Sequence, residues 1–335
     1  MSNSASSFTG VSSGYTAGTP VPADSPIRDN IADAVRRVRE TTPLAQSFTN
    51  FVTINLVANA QLAAGGTAAM SFLPDDVIET AKIAGANYIN VGTLLPFYKD
   101  ALPEIAQRLN YLDKPWVLDP VAAGIGRTRT AILQAFKAAP PTMIRANASE
   151  VIALANMWGL NTETVGDASE HRPAGVESVD DVESAIAPAQ RLARFMARHG
   201  ANGTAAVAVS GATDMVTDGE HVYRLAGGSA MMTKITGAGC SLGGVTAVYL
   251  AVAQPLIATH ASAASAGRRE VTGKSNNISA CCACGWREQC GKGGLSLPPL
   301  PRRGGNGRKG DCDHSRRRGR RSRQRPDPVR HLQHR

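Results

Sequence analysis

The sequence predicts an α/β fold with a largely parallel central sheet flanked by helices, and three features point to it. Short apolar runs alternate with amphipathic segments through most of the chain, the pattern of βα units laid side by side. The stretch from 27 to 264 is long enough for one large domain with a substantial core. Near its end, the small-residue loop Thr236-Gly237-Ala238-Gly239-Cys240-Ser241 opens an apolar, proline-free run over 242–252, so a helix begins at the glycines.

The elements follow in chain order. Residues 1–26 form an expected flexible leader, because the Ser/Thr/Gly-rich start is too polar to pack and lacks the basic start and apolar centre of a secretory signal. Pro26 then opens a helix carrying Ile27, Ile31, Ala34 and Val38 at helical spacing. Short apolar runs predict strands at 68–72, 88–91, 116–118, 142–145 and 205–209. The segments between them predict helices at 52–64, 75–84, 97–109, 130–138, 148–157 and 179–198. Residues 215–217 and 221–225 flank Asp218-Gly219, a strong hairpin signal.

Charge divides the chain. The net charge of +9 is concentrated at the end: residues 268–335 hold 18 of the 36 Lys and Arg and 5 of the 27 Asp and Glu, leaving the body mildly acidic. Nucleic-acid binding needs clustered Lys and Arg, so the body is not expected to bind nucleic acid specifically. Five of the six cysteines also fall in this tail. Cys240 alone belongs to the body, which implies no disulfide framework there and a reducing, cytoplasmic setting. No stretch is apolar enough to span a membrane.

In a parallel α/β sheet the ligand sits beyond the carboxyl ends of the strands. Several polar groups fall there: Asn90-Val91-Gly92-Thr93, Asp119 before Pro120, the run Arg145-Ala146-Asn147-Ala148-Ser149-Glu150, and Ser210-Gly211. Singly, each has an ordinary reading, and Asn147 with Glu150 three residues later resembles a helix-capping box. Together they describe a phosphoryl-transfer site, with carboxylates for magnesium, an Arg and a hydroxyl for phosphates, and a helix terminus for the transferring group. Cys240 stands in the first turn of that helix. The field there is expected to lower its pKa and make it a usable base.

These motifs, with Thr49-Asn50-Phe51-Val52, Met70, Asp119-Pro120-Val121, Thr217-Asp218-Gly219 and the Thr236 to Cys240 loop, occur in the order found in the hydroxyethylthiazole kinase family. The chain resembles that family from about residue 27 to 264, Cys240 being the most specific element. The resemblance implies a ribokinase-like fold and phosphorylation of 4-methyl-5-(2-hydroxyethyl)thiazole with ATP and Mg2+ in thiamine salvage. It assigns Cys240 to the substrate hydroxyl, Met70, Gly237 and Asn50 to the thiazole alcohol, Arg145 and Ser210 to the nucleotide, and Asp119 and Glu150 to magnesium. It further implies a homotrimer with active sites between subunits. The chain departs from the family pattern at Gln46, usually His, at Thr67 to Ala69, usually Ser-Pro before Met70, and at Ala122, usually Gly. These changes bear on pocket shape more than on the reaction. Rival readings are another small-alcohol kinase of the superfamily, acting for example on a hydroxymethylpyrimidine, and an inactive pseudo-enzyme with a polyanion-binding tail.

Residues 265–335 lack the family's closing segment and show no helical or strand period. A neighbouring reading frame over 295–301 can encode a Phe-containing segment like the missing one, so the tail is expected to be disordered or the product of a frameshift. The spacing of Cys281, Cys282, Cys284 and Cys290 is poor for zinc.

Overall fold

The chain runs Pro26–Thr41 (α1), Leu44–Phe48 (β1), Ile54–Ala63 (α2), Thr67–Met70 (β2), Pro74–Ile83 (α3), Ala86–Asn90 (β3), Tyr98–Tyr111 (α4) and Trp116–Asp119 (β4) in a computed structural model. It continues through Arg127–Ala135 (α5), Met143–Asn147 (β5), Ala148–Met157 (α6), Ile186–His199 (α7), Ala206–Ser210 (β6), Asp214–Thr217 (β7), Val222–Leu225 (β8) and Ala238–Ala266 (α8). The structure describes residues 20–161, 180–227 and 229–266. Most of the expected leader and all but the first two residues of the expected tail lie outside these, as does the first residue of the helix expected at 179–198.

The strands form one eight-stranded sheet in the order β2-β1-β3-β4-β5-β6-β7-β8. Pairs from β2 to β6 are parallel, and the β6–β7 and β7–β8 pairs are antiparallel. The expected α/β architecture is therefore present, closed at one side by the hairpin around Asp218-Gly219. A parallel sheet must be covered on both faces. One face buries Phe48, Ile89, Leu118 and Ile144 against Leu102, Ile105, Val151 and Leu192 of α4, α6 and α7. The other buries Ala45, Val117 and Met143 against Val38 of α1, Val57 of α2 and Val245, Val248 and Val252 of α8.

The sequence offers no expectation of β1, and two expectations need correction. β1 is a full member of the sheet, although Gln46 and Ser47 break its apolar pattern. Ser47 is tolerated inside because the Gln61 amide donates to its hydroxyl at 2.9 Å. The helix expected from 52 starts at Ile54, because Asn50 to Thr53 form a turn in which Thr53 N–H donates to Asn50 O at 3.2 Å. Residues Val182–Ala185 wind as a 3-10 turn, and α7 begins only at Ile186, so that Pro188 falls in its first turn, where a missing N–H costs nothing. Among the described residues, no helix is long and apolar enough to cross a membrane.

Candidate active site

Parallel strands deliver their last residues to one end of the sheet, and there the expected polar groups meet. Asn90 ends β3 and Asp119 ends β4, and the two are register partners. Asn147 and Ser210, which end β5 and β6, are register partners as well. The first turn of α8 closes over this row and brings Cys240 to it.

Asn90 lies at the centre of a network. Its side-chain amide donates to Asp119 Oδ2 at 2.9 Å, lies 2.9 Å from the Tyr88 hydroxyl, and donates to Cys240 Sγ at 3.3 Å. The Asn50 amide donates to Asn90 Oδ1 at 3.0 Å and to Cys240 Sγ at 3.5 Å. The Tyr88 hydroxyl donates to Asp119 Oδ2 at 2.8 Å. Burial, with the charge of Asp119, holds Tyr88 well above its ordinary pKa, so the phenol stays a donor. Asp119 Oδ1 is buried and accepts no hydrogen bond. Its nearest cation is Arg145 Nη1 at 3.8 Å.

Arg145 leaves β5 toward the α8 loop. Its Nη2 donates to Ser210 Oγ at 2.8 Å, and its guanidinium lies so close to Gly239 that a Cβ there would come within 2.5 Å of Nη1. Gly237 turns the loop at φ +87°, and a Cβ on it would meet Thr53 Cγ2 at 2.6 Å. Both glycines are thus required by close approach, one by the left-handed turn as well. Behind them, the first amides of α8 lack intrahelical partners and carry the positive end of the helix dipole. The loop is built to face an anion.

Glu150 completes a reciprocal cap with Asn147, whose Oδ1 accepts from Glu150 N–H at 2.9 Å while Glu150 Oε2 accepts from Asn147 N–H at 2.9 Å. Its other oxygen accepts from Ala122 N–H at 2.9 Å. Glu150 therefore anchors the loop after β4 as well as the start of α6. Burial and the charge of Asp119 push its carboxyl up to about 7. Ala122 sits at φ +58°, a left-handed conformation that a Cβ disfavours.

One expectation about Cys240 is overturned. The thiol does stand in the first turn of α8, but burial and then the charge of Asp119 raise its pKa rather than lower it. The helix terminus is a local effect, and the desolvation and carboxylate come from the packed surroundings.

The structure brings Asn50, Asp119, Arg145, Ser210, Glu150 and Cys240 into one cluster with the Gly237 loop. Met70 lies farther out, at the end of edge strand β2, and packs with Cys240 against the core on the α8 side. Tyr88 and Arg129 escape a reading of the sequence, because an aromatic residue inside a strand and an Arg on a helix both look ordinary. The available signal for Tyr88 is its i, i+2 spacing from the strand-ending Asn90, which sets both on one sheet face. Among the described residues, no group of three or more His, Cys, Asp or Glu side chains is arranged to hold a metal.

Comparisons with known proteins point to one family. The model of the hydroxyethylthiazole kinase family matches residues 35–279. A hydroxyethylthiazole kinase of Bifidobacterium longum (strain DJO10A) is 88% identical over 265 residues, covering 77% of this chain and 84% of the relative. One from Cereibacter sphaeroides (strain KD131) is 40% identical over 230 residues, covering 69% of this chain and 80% of the relative. Among solved structures, the hydroxyethylthiazole kinase protein of Pyrococcus horikoshii OT3 superposes with a TM-score of 0.57 at 27% identity, covering 77% of this chain and 93% of that one.

Proposed function

The chain belongs to the hydroxyethylthiazole kinase family, and from that premise we propose that it transfers the γ-phosphoryl group of ATP to the primary alcohol of 4-methyl-5-(2-hydroxyethyl)thiazole in thiamine salvage. The observation that carries this reading is the meeting of Asn50, Asn90, Asp119 and Arg145 at the first turn of α8, beside Cys240. A kinase site needs an anion cradle and a group able to take the alcohol proton, side by side.

In this reading the alcohol oxygen is the nucleophile. As its bond to the γ-phosphorus forms, the bond from phosphorus to the departing ADP oxygen breaks, and the hydroxyl proton passes to the thiolate of Cys240. Burial and the charge of Asp119 make that thiolate scarce, and the Asn50 amide that points at Sγ, with the charge of Arg145, favours it. The transferring group rests on the amides of the Gly237 to Cys240 turn, where the helix dipole offsets its charge without reorganisation. Arg145 and Ser210 hold the nucleotide phosphates, Arg145 as a charged fork fixed from one side by the Ser210 hydroxyl. Met70, Gly237 and Asn50 line the place of the thiazole alcohol.

Magnesium fits the donors present. Asp119 Oδ1 is a buried oxygen without a hydrogen bond, and Glu150 is a second buried carboxylate whose charge Asp119 disfavours. Magnesium is typically held by one or two carboxylates together with substrate phosphates, so this pair suffices. Asp119 and Glu150 would hold the ion, which offsets phosphate charge when bound.

Steady-state turnover with ATP and a panel of primary alcohols tests the proposal. The thiazole alcohol should be the best acceptor, and a preference for a hydroxymethylpyrimidine would move the chain to the rival specificity.

The same reading extends to a homotrimer with sites between subunits. It is supported by the exposed apolar side chains of Phe51 and Val52, next to Asn50 in the chain, and of Ile235, just before the Gly237 loop, which lie outside the core. Light scattering at micromolar concentration should give three times the chain mass, and a monomer would remove the trimer from the proposal.

A further inference from the structure

Arg129, on the first turn of α5, commits all three guanidinium nitrogens to backbone carbonyls of two different loops. Its Nε donates to Val91 O at 3.1 Å and its Nη2 to Gly92 O at 2.6 Å, both in the loop after β3. Its Nη1 donates to Ile125 O at 3.0 Å, in the loop after β4. The ladder between β3 and β4 ends with Val91 N–H, which donates to Asp119 O at 3.1 Å, and carbonyls that diverge from two loops beyond it need donors in a rigid fork. Guanidinium supplies that fork and ammonium does not.

Each loop carries part of the site. Gly92, gripped at its carbonyl by Arg129, donates its own N–H to Asn90 Oδ1 at 2.9 Å. Asn90 in turn reaches Asp119 and Cys240. The second loop follows Asp119 and contains Ala122, whose N–H is held by Glu150. Burial lowers the Arg129 pKa, and the charge of Glu150 offsets part of that.

We infer that Arg129 is a positioning residue of the phosphoryl-transfer reaction: it ties the β3 and β4 loops into one piece and so sets Asn90 against Cys240 and the Asp119 loop against Glu150. It touches no reacting atom and acts through Asn90 and the Ala122–Glu150 contact. The inference rests on the kinase reading, and wild-type turnover of the thiazole alcohol is therefore the first measurement. An inactive wild type would sink the reading itself.

With wild-type activity established, Arg129→Met keeps the apolar stem and removes the donors. A misplacement of about 1 Å costs on the order of 10²-fold in rate, so kcat should fall by about that factor while the KM for ATP stays within about twofold. Added guanidinium ion at millimolar concentration should restore part of kcat, and urea at the same concentration should not. Arg129→Lys, which retains the charge and folds more readily, should fall between the two. A wild-type kcat in either folded variant overturns the inference. So does a loss that follows only the unfolded fraction seen by circular dichroism and does not respond to guanidinium.

Discussion

The Tyr88 hydroxyl donates to Asp119 Oδ2 at 2.8 Å and, with Asn90 on the same oxygen, leaves Oδ1 without a hydrogen bond, facing Arg145 Nη1 at 3.8 Å. A side chain that looks like core filling thus decides which Asp119 oxygen is available. The ring has room for this only because α8 presents Gly243, where a Cβ would come within 2.4 Å of it.

Tyr88→Phe should therefore lower both stability and turnover. A hydrogen bond to a buried charged group contributes about 1.5–3 kcal/mol, and Asn90 retains part of it. The expected outcome is a loss of about 1–2 kcal/mol in chemical denaturation and of about tenfold in kcat. Unchanged kcat in a folded Tyr88→Phe enzyme would show that Asn90 alone orients Asp119.

Much of the site is legible because it sits at strand ends. Asp119, Arg145 and Ser210 each follow or finish a short apolar run, and the small-residue loop before α8 announces its helix. β1 is harder to read, since Gln46 and Ser47 are polar and only tertiary partners such as Gln61 make Ser47 acceptable inside. The direction of the Cys240 shift is not legible at all. A helix terminus can be read from six residues, whereas the burial and the Asp119 charge that outweigh it come from β3, β4 and β5 packed together. The family pattern Asp-Pro-Val-Gly against Asp119-Pro120-Val121-Ala122 is a visible departure, but only the left-handed backbone says what it costs.

That cost gives a stability prediction. Ala122 holds φ +58° while its N–H is fixed on Glu150. A non-glycine residue in this region costs about 1–2 kcal/mol, and glycine returns about 0.5–1 kcal/mol of that as chain entropy. Ala122→Gly should accordingly raise stability by about 0.5–1 kcal/mol in urea denaturation. Ala122→Val, with a branched side chain in the same conformation, should lower it. A clear loss of stability in Ala122→Gly would mean that the backbone strain is relieved elsewhere in the loop.

Glu150 makes stability depend on pH. Its carboxyl titrates near 7 in the fold, from an ordinary value of 4.5, because burial and Asp119 disfavour its charge. The folded chain therefore binds this proton more tightly than the unfolded chain does. The resulting stabilisation is complete below about 4.5 and is lost as pH rises through about 7. Melting temperature should fall across that window in wild type, and the fall should be shallower in Glu150→Gln. Below that window Glu150→Gln should lie lower, because one of the two backbone N–H groups that Glu150 now satisfies loses its acceptor, and the gap should narrow as pH rises through about 7. Parallel curves for the two proteins would assign the pH dependence to other groups.

The raised thiol pKa sharpens what is expected of Cys240. A base must be deprotonated to act, so turnover limited by this thiolate should climb with pH into the alkaline range, beyond where an ordinary thiol would level off. Cys240→Ala removes the proton acceptor but leaves the Gly237 turn and Arg145 in place, so kcat should drop by about 10²–10⁴ while ATP binding is retained. Cys240→Asp supplies a group that ionises far lower, and it should keep substantial activity with the rising limb moved to lower pH. Iodoacetamide should inactivate the wild type slowly near neutrality and faster at alkaline pH, with the thiazole alcohol protecting, because the protonated thiol is a poor nucleophile. If Cys240→Ala turns over at the wild-type rate, the alcohol proton leaves by another route, and the transfer rests on the helix terminus and Arg145 holding the phosphates in line.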